Sequence, residues 1–208
     1  MEELLKMPVV GIVRNMELEV FREILPIYIE AGLTHIEVTL NTSGAKKMIE
    51  FANEQYGQQL MTGAGTICDE EDLRTALDAG AKFIVTPITD TKVIEECSKK
   101  AIPVFPGAFT ASEIYIAWKA GASMVKVFPA GSVGPEYIKD IKGPLSQVKL
   151  MPTGGVDLSN IRDFFNAGAS AVGVGGKLFP PVMLKEKKWN ELFQHFSSFV
   201  KAITDSSK

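Results

Sequence analysis

The sequence is poor in the residues from which disulfide frameworks, metal sites and membrane spans are built. It has two cysteines, Cys68 and Cys97, which form no CxxC pair or ligand cluster. Two isolated cysteines suit a reducing compartment, so no disulfide framework is expected and the expected location is the cytoplasm. It has two histidines, His35 and His195. No His/Cys/Asp/Glu group falls at metal-ligand spacing, so neither a metal nor another cofactor is expected. His35 reads as lying near a strand entrance and His195 in the last helix, which leaves no Ser-His-Asp arrangement. No run approaches the roughly 18 apolar residues that span a bilayer. The opening MEELLKMPVV has no long apolar stretch after a basic region, so neither a membrane segment nor a signal peptide is expected. A net charge of −3 gives nucleic acid or an anionic membrane nothing to attract, and neither is expected as a partner. What the chain does have is 46% hydrophobic residues in 208, enough for a sizeable core and expected to form one domain over 1–208.

Four segments repeat: Glu30-AGLTHIEV, Asp78-AGAKFIVT, Lys119-AGASMVKV and Asn166-AGASAVGV. Their glycines, Gly32, Gly80, Gly121 and Gly168, lie 41 to 48 residues apart. Each closes a helical pattern and leads into a short apolar run, as a glycine in the left-handed C′ position of a helix does. The period is too long for one β-loop-α unit and fits two. The missing strands are supplied by Val9–Val13, Gln59–Gly63, Pro103–Pro106 and Val148–Pro152. Helical patterns fall at Glu17–Glu30, Glu70–Asp78 and Ser159–Asn166, with Asp69, Thr110, Ser112 and the Asp157-Leu158-Ser159 segment as caps. A final helix falls within about 187–204, where Phe193, Phe196 and Phe199 recur at core spacing. Short apolar strands alternating with helices give a parallel sheet buried on both faces. Eight such units predict an α/β fold of the single (β/α)8 TIM-barrel type, with an open doubly wound sheet as the alternative.

In such a fold a charge in mid-strand cannot escape burial, which costs several kcal/mol or shifts the pKa until the group is neutral. Three charges lie that deep: Arg14 at the end of strand one, Glu37 in Ile36-Glu37-Val38 and Lys126 in Val125-Lys126-Val127. The repeat aligns Glu37 with Lys126, so both should point inward as members of one barrel layer. A buried structural ion pair is one reading. The other gives Lys126 a depressed pKa and nucleophilic character, with Glu37 as its proton carrier. Glycines after the last two strands, Gly154-Gly155 following Thr153 and Gly175-Gly176 preceding Lys177, sit where phosphate-binding barrels present backbone N–H groups. The loop Gly63-Ala64-Gly65-Thr66 adds a hydroxyl that either donates to substrate or closes a turn.

Together with Val85-Thr86-Pro87, Phe105-Pro106-Gly107, Lys126-Val127-Phe128-Pro129, Pro152-Thr153-Gly154-Gly155 and Gly173-Val174-Gly175-Gly176, these motifs resemble the 2-keto-3-deoxy-6-phosphogluconate and 2-keto-4-hydroxyglutarate aldolase family from about Val9 to Phe179. The resemblance implies a homotrimeric, metal-independent class I aldolase. Lys126 would be its Schiff-base residue and Glu37 its general acid/base. Thr66, Pro87 and Phe128 would line the pyruvate pocket. Thr153, Gly154, Gly155, Gly175 and Gly176 would hold the distal phosphate or hydroxyl end of the substrate, with Lys177 beside the glycines. The implied reaction is reversible cleavage of 2-keto-3-deoxy-6-phosphogluconate to pyruvate and glyceraldehyde 3-phosphate, with 4-hydroxy-2-oxoglutarate as a second substrate. Two positions depart from the gluconate pattern: Asn41 stands where many members have arginine, and Lys177 where serine is common. Asn41 and Arg14 match members acting on the galactonate epimer, in which Arg14 would contact the substrate, whereas Thr39 stands where those members have proline. The galactonate substrate is therefore the alternative. Two non-aldolase readings are a sugar-phosphate isomerase or epimerase using the same pair, and a phosphate-ligand binding protein with a purely structural pair.

Overall fold

The computed structural model describes residues 2–204. A short helix, α1 (Glu2–Lys6), precedes β1 (Val9–Val13), α2 (Leu18–Glu30), β2 (His35–Thr39), α3 (Ala45–Tyr56), β3 (Met61–Gly65), α4 (Glu70–Asp78), β4 (Ile84–Val85) and α5 (Thr91–Lys99). Then follow β5 (Val104–Phe105), β6 (Gly107–Ala108), α6 (Ala111–Lys119), β7 (Val125–Val127), α7 (Gly134–Lys142), β8 (Leu150–Pro152), α8 (Ile161–Asn166), β9 (Val172–Val174), α9 (Pro181–Lys185) and α10 (Trp189–Thr204).

Local chemistry sets the helix ends. The Asp69 carboxylate accepts the N–H groups of Glu71 and Asp72, both at 2.9 Å, and three acids fill the first turn of α4, facing the positive end of its dipole. Thr110 and Glu113 form a reciprocal capping box on α6. Gly32, Gly80, Gly121 and Gly168 all have φ between +86° and +105°. The residue after each donates back to the carbonyl five residues earlier, for example Leu33 to Tyr28 at 3.2 Å and Ala81 to Ala76 at 3.0 Å. Each repeat thus closes with the same Schellman turn and launches a strand in the same direction.

Every paired strand runs parallel, as helical crossovers require. The ladder has two parts, β5-β4-β3-β2-β1-β9 and β6-β7-β8. They meet at two places. Pro106 separates β5 from β6 because it has no N–H to give, yet its carbonyl still accepts from Lys126 N at 2.8 Å. At the other seam, Thr153 bridges Gly173 in parallel. All eight expected strand regions are present. The third is Met61–Gly65, displaced two residues from the sequence expectation, and the fifth is split by Pro106.

Two apolar clusters cover the two faces. The larger lies between strands and helices and includes Phe21, Tyr28, Ile36, Val38, Val125, Val127 and Phe196. The smaller gathers Leu4, Val10, Phe83, Val85, Phe105, Met124, Met151 and Ala171. On β7 the alternation is plain: Val125 and Val127 face the helices, while Met124 belongs to the inner cluster and Lys126 follows it two residues on.

Candidate active site

The carboxyl ends of the strands open on a cleft of about 700 Å³. Lys126 lines it, only 5% exposed, with its Nζ 5.2 Å from the centre of the Phe128 ring. Burial pushes its amine below the ordinary value of 10.5; Glu37 opposes that shift and Arg14 adds to it. Glu37 is 1% exposed and does not itself line the cleft. Its carboxyl packs under Gly65: a Cβ placed on that glycine would lie 1.7 Å from Glu37 Oε1. Glu37 Oε2 has no hydrogen-bond partner among the described residues. Burial raises its carboxyl above 4.5, against the pull of Lys126 and Arg14. Burial thus works against the charged form of each group, and no ion pair within 4 Å joins them.

Arg14 is an exposed wall residue of the same cleft, immediately after β1. Thr153 is 3% exposed and lies where Gly173 leaves room, since a Cβ there would sit 2.5 Å from its Oγ1. Gly154, Gly155, Gly175, Gly176 and Lys177 line the same cleft. The N–H groups of Gly155, Gly176 and Lys177 donate to no protein acceptor among the described residues, while Leu178 and Phe179 both donate to the Gly175 carbonyl and hold the turn. Lys177 Nζ lies 3.9 Å from Asp157 Oδ2, and its carbonyl is 2.8 Å from a ring nitrogen of His195. Among the described residues no group of three or more His, Cys, Asp and Glu side chains is placed to hold a metal ion, and no helix is long and apolar enough to cross a membrane.

The structure therefore gathers Arg14, Lys126, Phe128, Thr153, the four glycines and Lys177 around one cleft, with Glu37 buried beneath. It does not bring Asn41, Thr66 or Pro87 to that wall. Asn41 is exposed on the turn after β2, which the Thr42 N–H to Thr39 carbonyl bond closes at 2.9 Å. Thr66 follows β3 with φ +62°, and Pro87 packs its carbonyl against Gly107. Sequence reasoning missed the wall formed by Met16, Glu17, Val20, Leu184, Lys185 and Lys187. The Pro180-Pro181 step that opens α9 was the available signal, since paired prolines mark a break in the chain and a helix start after Phe179.

Fold and site together define a parallel α/β enzyme class whose cleft opens at the carboxyl ends of the strands. Comparison with known proteins narrows the class. A sequence model of the family described as KDPG and KHG aldolase matches residues 1–195. A solved native KDPGal structure superposes with a TM-score of 0.90 at 30% identity, covering 97% of both chains. The KDPG aldolase from Legionella pneumophila, solved with pyruvate captured at low pH as a covalent carbinolamine intermediate, gives 0.85 at 27% identity over 92% of this chain and 93% of that one. The probable 2-dehydro-3-deoxy-6-phosphogalactonate aldolase of Rhizobium meliloti (strain 1021) is 31% identical over 119 residues, 57% of this chain and 56% of its own length. The match thus spans little more than half of that curated relative. The chain belongs to the KDPG and KHG aldolase family.

Proposed function

We propose that the chain is a class I aldolase that cleaves a 2-keto-3-deoxy-6-phospho sugar acid reversibly to pyruvate and glyceraldehyde 3-phosphate. The observation that carries this is Lys126: a lysine only 5% exposed, its amine held below the ordinary range by burial, opening on the cleft with one buried carboxylic acid as its electrostatic partner.

The uncharged Lys126 Nζ attacks the C2 ketone and forms a carbinolamine. Loss of water, with a proton supplied through Glu37, leaves a protonated imine. That cation draws the electrons of the C3–C4 bond as the C4 hydroxyl gives up its proton, so the aldehyde departs and an enamine remains on Lys126. Protonation at C3 and hydrolysis return pyruvate and free lysine. The proton transfers are the kind of work to which general acid/base catalysis contributes about 10²–10⁴-fold. The unpaired N–H groups of Gly155, Gly176 and Lys177 suit a phosphate oxygen cluster, and Lys177 adds a charge in the same cleft. Arg14, on the same wall as Lys126, suits the carboxylate of the keto acid.

The gluconate epimer is the first reading for the sugar acid. The galactonate epimer is the second reading, supported by Arg14 in the cleft wall. Closure of the eight strand regions into one (β/α)8 barrel, as one domain, belongs to the same proposal; its support is the Pro106 seam, the Thr153–Gly173 bridge and the separate inner cluster.

Borohydride added with pyruvate tests the mechanism. We expect irreversible reduction onto Lys126, located by mass spectrometry of peptides. Active protein that forms no adduct overturns the Schiff base. Pyruvate release from the gluconate, galactonate and hydroxyglutarate substrates, compared side by side, decides among them.

A further inference from the structure

Thr39 and Thr42 are buried at 0% and 3% exposure, and their hydroxyls lie 3.0 Å apart. Thr39 Oγ1 donates to the carbonyl of Val13 at 3.2 Å. Thr42 Oγ1 accepts the N–H of Asn15 at 3.1 Å. Each hydroxyl has one proton. Since that of Thr39 is committed to Val13, that of Thr42 must point at Thr39, which leaves its lone pairs for Asn15. The chain is complete and runs one way. Its ends are the two peptide groups that flank Arg14. Asn15 itself has φ +53°, a left-handed conformation uncommon for a non-glycine residue and one to which asparagine is better suited than most.

We propose that Thr39 and Thr42 are positioning residues for Arg14: their paired hydroxyls clamp the backbone on both sides of it and fix where its guanidinium meets the keto-acid carboxylate. This rests on the aldolase reading above. Neither threonine lines the cleft, so neither touches substrate, and their effect passes through Arg14. The two threonines lie on β2 and its following turn, while Arg14 follows β1; the device therefore ties the first loop of the cleft to the second.

The test uses the full chain, with pyruvate release from the phosphorylated sugar acid and thermal unfolding measured on each variant. Thr39→Val and Thr42→Val are expected to raise KM about three- to tenfold, the range for losing one or two buried hydrogen bonds, with kcat within about twofold. Thr39→Ser, which keeps the hydroxyl, is expected to restore KM. In an Arg14→Ala background neither valine variant should raise KM further. A merely structural role would instead lower kcat through loss of active protein and leave KM alone. The proposal falls if KM is unchanged in folded valine variants, or if their effect adds in full to that of Arg14→Ala. Should Thr39→Val not fold, Thr42→Val on the turn decides by the same comparison. Absence of pyruvate release by the unaltered protein would overturn the aldolase reading instead, a distinct result.

Discussion

Gly65 is the position where one methyl group interrogates the whole mechanism. Its φ is outside the left-handed region, so alanine is conformationally admissible and the consequence of Gly65→Ala is steric. The new Cβ would lie 1.7 Å from Glu37 Oε1, 2.4 Å from Cδ and 2.7 Å from Cγ. Ordinary contact begins near 3.4 Å, so the carboxyl must retreat by about 1.7 Å. Overpacking of this kind costs about 1–3 kcal/mol, or roughly 2–12 °C in Tm for a chain of this size. Displacement of a proton carrier by more than 1 Å costs about 10²-fold in rate. We therefore expect Gly65→Ala to fold, to melt a few degrees lower and to lose about 10²–10³-fold in kcat for pyruvate release. Glu37→Asp, which withdraws the carboxylate by one methylene, should recover Tm when combined with Gly65→Ala. A folded Gly65→Ala protein that keeps its full kcat would show that the Glu37 carboxyl is not the working acid, and the proton path would then have to run from the cleft.

Two further outcomes follow from other parts of the molecule. Because burial raises the Glu37 carboxyl above 4.5, the folded chain holds a proton that the unfolded chain releases; the contribution of Glu37 to stability is therefore full below pH 4.5 and is lost as pH rises through the folded value. Urea titrations at a series of pH values should show Glu37→Gln gaining on the unaltered protein from about pH 4.5 upward, and a difference independent of pH would refute the burial argument. Ala101 ends α5 with φ +55°, donating to Ser98 at 3.0 Å in the place where the four repeats have glycine. Ala101→Gly should therefore raise stability by about 1 kcal/mol, read as a higher urea midpoint; a lower midpoint would mean that the turn is not strained.

What the sequence made legible was local or strictly periodic. The Ala-Gly helix stops could be read because a positive φ is a property of one residue, and all four have it. Lys126 and Glu37 could be read because a charge in a strand covered on both faces has few explanations. Boundaries were harder. The third strand reaches Gly65 rather than stopping at Gly63, since its pairing with β2 extends to Thr39 and outweighs glycine's weak strand preference. The segment Asp157–Ser159 caps no helix; Asp157 binds the Ser159 N–H, and α8 begins after Asn160. Asn41 and Pro87 were placed by resemblance and Thr66 by its glycine loop as well, and where a loop side chain falls relative to a cleft depends on the next loop, which no periodicity encodes. The α9 wall escaped for the same reason. Its residues are ordinary on their own and matter only because the fold brings them to the cleft that Lys126 lines.

The inner apolar cluster has a consequence for the order of events. Met124, two residues before Lys126, already belongs to that dry plug, and Phe128, two residues after, stands at the open end. Lys126 thus lies where the packed interior gives way to the cleft. On the proposed reaction the pyruvate half is still bonded to Lys126 as the enamine when the C3–C4 bond has broken, so the phosphorylated aldehyde leaves first. The order of product release is then set by the covalent bond at Lys126.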